Sequence, residues 1–139
     1  MNHVIVGIDR SETAPRAAET AAQLARDRQA TLHLVMCIDR SSGGEVNVGG
    51  EHYFNDPISD AGDYLRDIER SLGDAEITRH AGTGDPSEML CSEADRLGAS
   101  TIVVGNRRVQ GLSRVLGSVA LDVIRNAPCD VLVAQTTAT

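Results

Sequence analysis

The feature that most constrains this chain is an alternation. Segments rich in Val, Ile and Leu recur with stretches of helical periodicity between them. His3 to Asp9 is the first expected strand. From Ala14, apolar positions at 17, 18, 21, 24 and 25 repeat at helical spacing, nearly all alanine, so this helix can lie close against a sheet. Thr31 to Ile38 is the second strand. Ile58, Ala61, Leu65, Ile68 and Leu72 mark the next helix, closed by Gly73. Glu76 to Ala81 is a more polar strand, suited to a sheet edge. Asp85 then caps a third helix, with Pro86 in its first turn and Glu88 three residues after the cap. Thr101 to Val104 is short and apolar, as in strands covered on both faces of a parallel sheet. Leu116, Val119, Ala120, Val123, Ile124 and Ala127 form a fourth helical face, and Asp130 to Ala134 is the last strand. This order predicts an α/β fold: a doubly wound, five-stranded parallel sheet with helices on both faces.

The 139 residues suit a single domain, 1–139, large enough for a core without disulfide or metal staples. Residues 40–57 break the rhythm, because Gly43-Gly44 and Gly49-Gly50 flank polar residues. The segment reads as a flexible loop, either a disordered insertion or a lid or partner-facing flap.

Charge removes several functions. The chain has 13 basic residues, all arginine, against 20 acidic ones, for a net charge of −7. Without lysine it can carry no Walker-type phosphate lysine, kinase strand lysine or Schiff-base nucleophile. Tyr53, Phe54 and Tyr64 are its aromatics, all expected outside the core elements. So acidic and aromatic-poor a chain argues against nucleic-acid binding. No apolar run reaches membrane-spanning length, and the first residues do not resemble a secretory leader. Cys37, Cys91 and Cys129 are widely spaced and form no CxxC pair, as expected of reduced thiols. A cytoplasmic protein with no membrane partner follows as the expectation.

In open α/β sheets, ligands bind beyond the carboxyl ends of the strands, where strand order reverses. Gly7, Ile8, Asp9, Cys37, Asp39, Gly82, Gly84 and the segment from Gly105 fall there. Two segments imitate phosphate cradles. In the first, Gly82 to Ser87, Asp85 would put a negative charge where a pyrophosphate would lie, so a turn and helix cap is favoured. The second, Gly105 to Ser118, follows the strand expected to be most buried and leads into a helix. It lies within 26 residues, Arg96 to Leu121, that contain no Asp or Glu, and it carries Arg107, Arg108 and Arg114. Its glycines let backbone amides approach an anion, and Ser118 adds a hydroxyl at the helix start.

The frame VGIDRSETA (Val6 to Ala14), then LHLVMCID, the Gly84-Asp85-Pro86 helix start, IVVGNRR, VLGSVA and APCDVLVA together resemble the universal stress protein family over essentially the whole chain. The resemblance implies the five-stranded, adenine nucleotide alpha hydrolase-like fold and ATP binding, with Mg²⁺ arriving on the nucleotide and AMP-type ligands as alternatives. It also implies a dimer without vigorous enzymatic activity. The family's binding pattern is a glycine, two residues, a glycine, nine residues, a glycine, then Ser or Thr. Gly105, Gly117 and Ser118 match its first, third and fourth elements. Arg108 occupies the second glycine position, with eight residues rather than nine between it and Gly117, and Gly111 is the substitute turn residue. Asp9, with Gly7 and Ile8, matches the segment expected near adenine and ribose, and Cys37 falls at the adenine edge. Val104 precedes the phosphate segment, and Val119 and Ala120 follow its serine.

Two functions stay open: a nucleotide-binding stress or signalling protein, or a dimeric interaction module that has lost nucleotide binding. No catalytic or metal-ligating residue is assigned. There is no GxSxG elbow, and His3, His33, His52 and His80 all read as structural or solvated histidines rather than bases. Asp9 and Asp39 could share a nucleotide-borne Mg²⁺, although helix capping is the commoner use of such aspartates. The apolar last strand, without Pro or Lys to discourage pairing, is the expected edge for homodimer formation through residues 130–134.

Overall fold

A computed structural model describes residues 2–9, 11, 13–38, 44–48, 51–55, 57–106 and 116–136. The element order is β1 (His3–Ile8), α1 (Ala14–Arg28), β2 (Thr31–Ile38), β3 (Gly44–Val48), β4 (Glu51–Asn55), α2 (Pro57–Ser71), β5 (Ile77–Thr83), α3 (Pro86–Leu97), β6 (Thr101–Gly105), α4 (Ser118–Asn126) and β7 (Asp130–Ala134). Five strands form one parallel sheet in the order β5-β2-β1-β6-β7. The chain therefore builds outward from β1 to β2 and β5, then returns to the other side of β1 with β6 and β7. The reversal lies between β1 and β6.

Strand periodicity divides the core into two layers. On one face, Val4, Val6, Ile8, Leu32, Leu34, Met36 and Ile38 meet the alanine stripe of α1 and Ala61, Leu65 and Ile68 of α2. On the other, Ile5, Val35, Ile102 and Val104 meet Leu90 and Ala94 of α3 and Ala120 and Val123 of α4. Ile5, Leu32, Leu34, Leu65 and Ile102 are completely enclosed, each burial contributing about 1.5–3 kcal/mol. The small faces of α1 residues Ala17, Ala18, Ala21 and Ala22, at most 2% exposed, let the helix approach the sheet without gaps.

Two expectations need correction. The segment read as a loop, 40–57, contains β3 and β4, paired antiparallel from Gly44 opposite Asn55 to Val48 opposite Glu51. Its glycines drew attention to flexibility. Yet Val46, Val48, Tyr53 and Phe54 are strand formers, and two glycines between strands are a hairpin signal. Tyr64 was expected outside the core elements, but it lies on α2 and packs partly buried against the first core layer.

Candidate functional site

The carboxyl ends of β1 and β6 diverge at the reversal and open a cavity of about 460 Å³, within the usual range for small-molecule sites. Gly7, Ile8 and Asp9 enter from β1 and the residue after it, Val35 and Cys37 from β2, and Val104 and Gly105 from β6. The start of α1 contributes Ser11, Thr13, Ala14 and Ala17, and α3 contributes Pro86 and Leu90. Gly117, Ser118, Val119 and Ala120 line the cavity at the start of α4, and Thr136 closes it from beyond β7.

Each wall has a local cause. The Asp9 carboxylate accepts the Ser11 amide at 2.9 Å, turning the chain from β1 toward α1, and the Ser11 and Thr13 hydroxyls lie 3.0 Å apart. Gly7 and Gly105 sit where the backbone must approach other groups closely. A Cβ on Gly7 would lie 3.0 Å from Leu90 Cδ1, and one on Gly105 would lie 3.2 Å from Thr136 Cγ2. Cys37 donates its thiol to the Gly84 carbonyl at 3.0 Å, linking the ends of β2 and β5.

The two imitations of phosphate cradles separate cleanly. Asp85 caps α3, its Oδ2 accepting the Glu88 amide at 3.0 Å and the Ser87 hydroxyl at 2.7 Å. These bonds, the Ser87 one foremost, hold its carboxyl below the usual carboxylate range. That helix start is already occupied by an internal anion. At α4 the cap position is Gly117, in extended conformation with φ −66° and ψ 161°, and among the described residues no side chain caps the helix. Gly117, Ser118, Val119 and Ala120 line the cavity at the positive end of the helix dipole, and the first turn of α4 carries no acidic residue.

The structure thus brings Gly7, Ile8, Asp9, Cys37, Val104, Gly105, Gly117, Ser118, Val119 and Ala120 to one cavity. Arg108, Gly111 and Asp39 lie outside the described residues. The sequence reading missed Ser11, Thr13, Ala14, Ala17, Val35, Pro86, Leu90 and Thr136. Two of these had a signal, since Val35 shares the face of Cys37 by strand alternation and Leu90 lies one helical turn beyond Pro86. Thr136, in a polar stretch after the last strand, had none.

His3, His33 and His80 are not among the residues that line the cavity. His3 Nδ1 lies 2.9 Å from His33 Nε2, His33 Nδ1 lies 2.5 Å from Thr78 Oγ1, and the His80 ring stands 6.1 Å from that of His33. Burial, then the neighbouring His3 and His80, lower the His33 pKa to about 4. A neutral core imidazole is a poor general base for a cavity it does not reach. Among the described residues, no three His, Cys, Asp or Glu side chains are placed to hold a metal ion, and no helix is long and apolar enough to cross a membrane.

Comparison with known proteins agrees with this fold. The sequence profile of the Universal stress protein family matches residues 1–135. Universal stress protein A homolog 1 of Coxiella burnetii is 31% identical over 137 residues, covering 94% of this chain and 93% of its own length. A crystal structure of a universal stress protein in complex with cAMP superposes with a TM-score of 0.74 at 28% identity, covering 98% of each chain. The universal stress protein of Archaeoglobus fulgidus in complex with dAMP gives a TM-score of 0.71 at 28% identity, covering 96% of this chain and 98% of its own.

Proposed function

The chain belongs to the universal stress protein family, and on that premise we propose that it is an adenine-nucleotide receptor of stress response or signalling, with ATP as leading ligand and AMP-type nucleotides as alternatives. The observation that carries this reading is the meeting of three features in one cavity: the Asp9 carboxylate, the close-approach glycines Gly7 and Gly105, and the uncapped start of α4. An acidic group at one end suits ribose hydroxyls, and helix-start amides at the other suit phosphate oxygens. The relatives crystallised with cAMP and dAMP support the adenine-nucleotide class. In a lysine-free chain, Arg108 is the cation assigned to the phosphates, with Gly111 as turn residue. Mg²⁺ would arrive with ATP. No side chain is assigned a catalytic role, and any hydrolysis is slow. The three free thiols suit the reducing cytoplasm, where we place the protein.

A second reading is a dimeric interaction module without nucleotide. It is favoured by the exposed apolar side chains Leu121 and Ile124 on α4 and Leu132 on the edge strand β7, the last 38% exposed. The homodimer through 130–134 belongs to both readings; only the ligand separates them. Native mass spectrometry of freshly purified, unheated protein measures both properties. A dimer carrying an adenine nucleotide per chain supports the first reading. A dimer without nucleotide, to which added ATP brings no mass, supports the second.

A further inference from the structure

We propose that Arg16 is a charge-selecting residue of the cavity, one that makes it prefer anionic ligands to their neutral counterparts. The inference rests on the nucleotide reading above, within which it favours nucleotides over nucleosides. Arg16 stands exposed in the first turn of α1, and its guanidinium donates to the Thr136 carbonyl at 3.5 Å. Thr136 lines the cavity, as do Thr13, Ala14 and Ala17, which lie on either side of Arg16 in the chain. A Cβ on Gly105 would lie 3.2 Å from Thr136 Cγ2 and 3.9 Å from the Ala17 Cβ. The start of α1, the end of β6 and Thr136 therefore meet along one stretch of the cavity's edge, and Arg16 bridges it.

The position runs against the usual placing of charge on a helix. A helix start is the positive end of the dipole, so first turns favour Asp and Glu and disfavour cations. The first turn of α1 holds no acidic residue and does hold Arg16, whereas Arg26 and Arg28 occupy the last turn, where the dipole favours them. Among the described residues, Arg66, Arg70, Arg79 and Arg96 each pair with an acidic side chain, at distances between 2.6 and 3.8 Å, and Arg16 pairs with none. A local rule broken without compensation inside the fold is expected where function requires it. Here the guanidinium adds to the positive field of a helix start that borders a cavity.

The rest of the chain works against anions. Its net charge is −7, and the Asp9 carboxylate stands at the cavity wall. An anionic ligand is repelled there unless a local cation offsets the repulsion. Arg16 needs no direct contact to do so, because Coulomb attraction falls only inversely with distance and screening sets in over about 10 Å at moderate salt. The gain scales with the ligand's charge and vanishes for a neutral nucleoside. A plain tether between α1 and Thr136 would act on both ligands alike.

The test is calorimetric titration of the full chain with adenosine, AMP and Mg²⁺–ATP at low salt, weak adenosine binding being read by displacement of ATP. Arg16→Gln should weaken AMP and Mg²⁺–ATP about fivefold and leave adenosine within about twofold of the parent. Arg16→Lys, which keeps the charge, should hold every ligand within about twofold. Arg125→Gln removes the same charge from the last turn of α4, outside the cavity lining, and should also stay within about twofold. At about 1 M salt the deficit of Arg16→Gln should shrink to about twofold or less. Its melting temperature should equal or exceed that of the parent, since a cation leaves the helix start. Undiminished nucleotide affinity in Arg16→Gln, equal losses for adenosine and the nucleotides, or as large a loss in Arg16→Lys or Arg125→Gln would overturn charge selection and leave the nucleotide reading standing. A parent protein that binds none of the ligands would overturn that reading and the role of Arg16 with it.

Discussion

Acidification from pH 7 to pH 5 should destabilise this protein through one residue. His33 is 4% exposed in the middle of β2, and burial lowers its pKa to about 4 from an ordinary 6.5. The groups facing it are His3, His80 and Thr78 on the sheet, with Glu93 and Arg96 from α3; of the charged ones, only Glu93 favours the protonated form. Because the unfolded chain takes up the proton more readily, the stability contributed by neutral His33 is fully present above about pH 6.5. It is lost as pH falls through the folded-state pKa near 4. A difference of two to three units is about 3 kcal/mol in total, of which about 2 kcal/mol should be lost between pH 7 and pH 5. Ordinary carboxylates titrate mainly below that window, and comparison with a His33 variant separates His33 from the other histidines. His33→Gln, which keeps a donor and an acceptor but does not titrate, should be the less stable protein at pH 7 and lose less stability on acidification. Urea unfolding at pH 7.0, 6.0 and 5.0 measures this. Parallel stability curves for the parent and His33→Gln would refute the reasoning.

Three further outcomes follow from the packing. Gly7→Ala should cost about 1 kcal/mol because buried Leu90 must give way, whereas Gly82→Ala meets the flexible tip of Met89 at 2.9 Å and should cost less; denaturant midpoints of the two variants compare them. ATP should slow labelling of the cavity thiol Cys37 and leave Cys129 unaffected, as read by mass spectrometry of alkylated peptides; equal protection at both would remove Cys37 from the site. Leu132→Asp should convert the proposed dimer to monomer in light scattering at micromolar concentration, since it places a charge on the apolar edge strand.

What could be read from the sequence had a local cause. The parallel sheet was legible because most strands are aliphatic runs and the helices between them announce themselves by 3.6-residue stripes or, for the third, by its cap, so no long-range knowledge was needed. Asp85 announced its cap through Pro86 and Glu88, and the bond to the Glu88 amide is there. The hairpin was missed because glycine outweighed the strand formers around it. The cavity's strand-end residues were legible because their place follows from strand order. Its α1 wall and Thr136 were not. Ala14 and Ala17 looked like core-facing alanines, which they also are, and Thr136 depends on a partner 30 residues away.

The central claim, that the cavity between β1 and β6 receives a nucleotide with its phosphates at the start of α4, is tested most directly by titrating the parent and Gly117→Val with Mg²⁺–ATP. The cap conformation at Gly117, φ −66°, is one a valine can adopt, so the substitution obstructs the amides without straining the backbone. The account predicts ATP binding by the parent with one nucleotide per chain, and a loss of about tenfold or more in Gly117→Val with the melting temperature preserved. A parent that gives neither heat nor thermal shift at millimolar ATP and Mg²⁺, or a Gly117→Val variant that binds as the parent does, would contradict it.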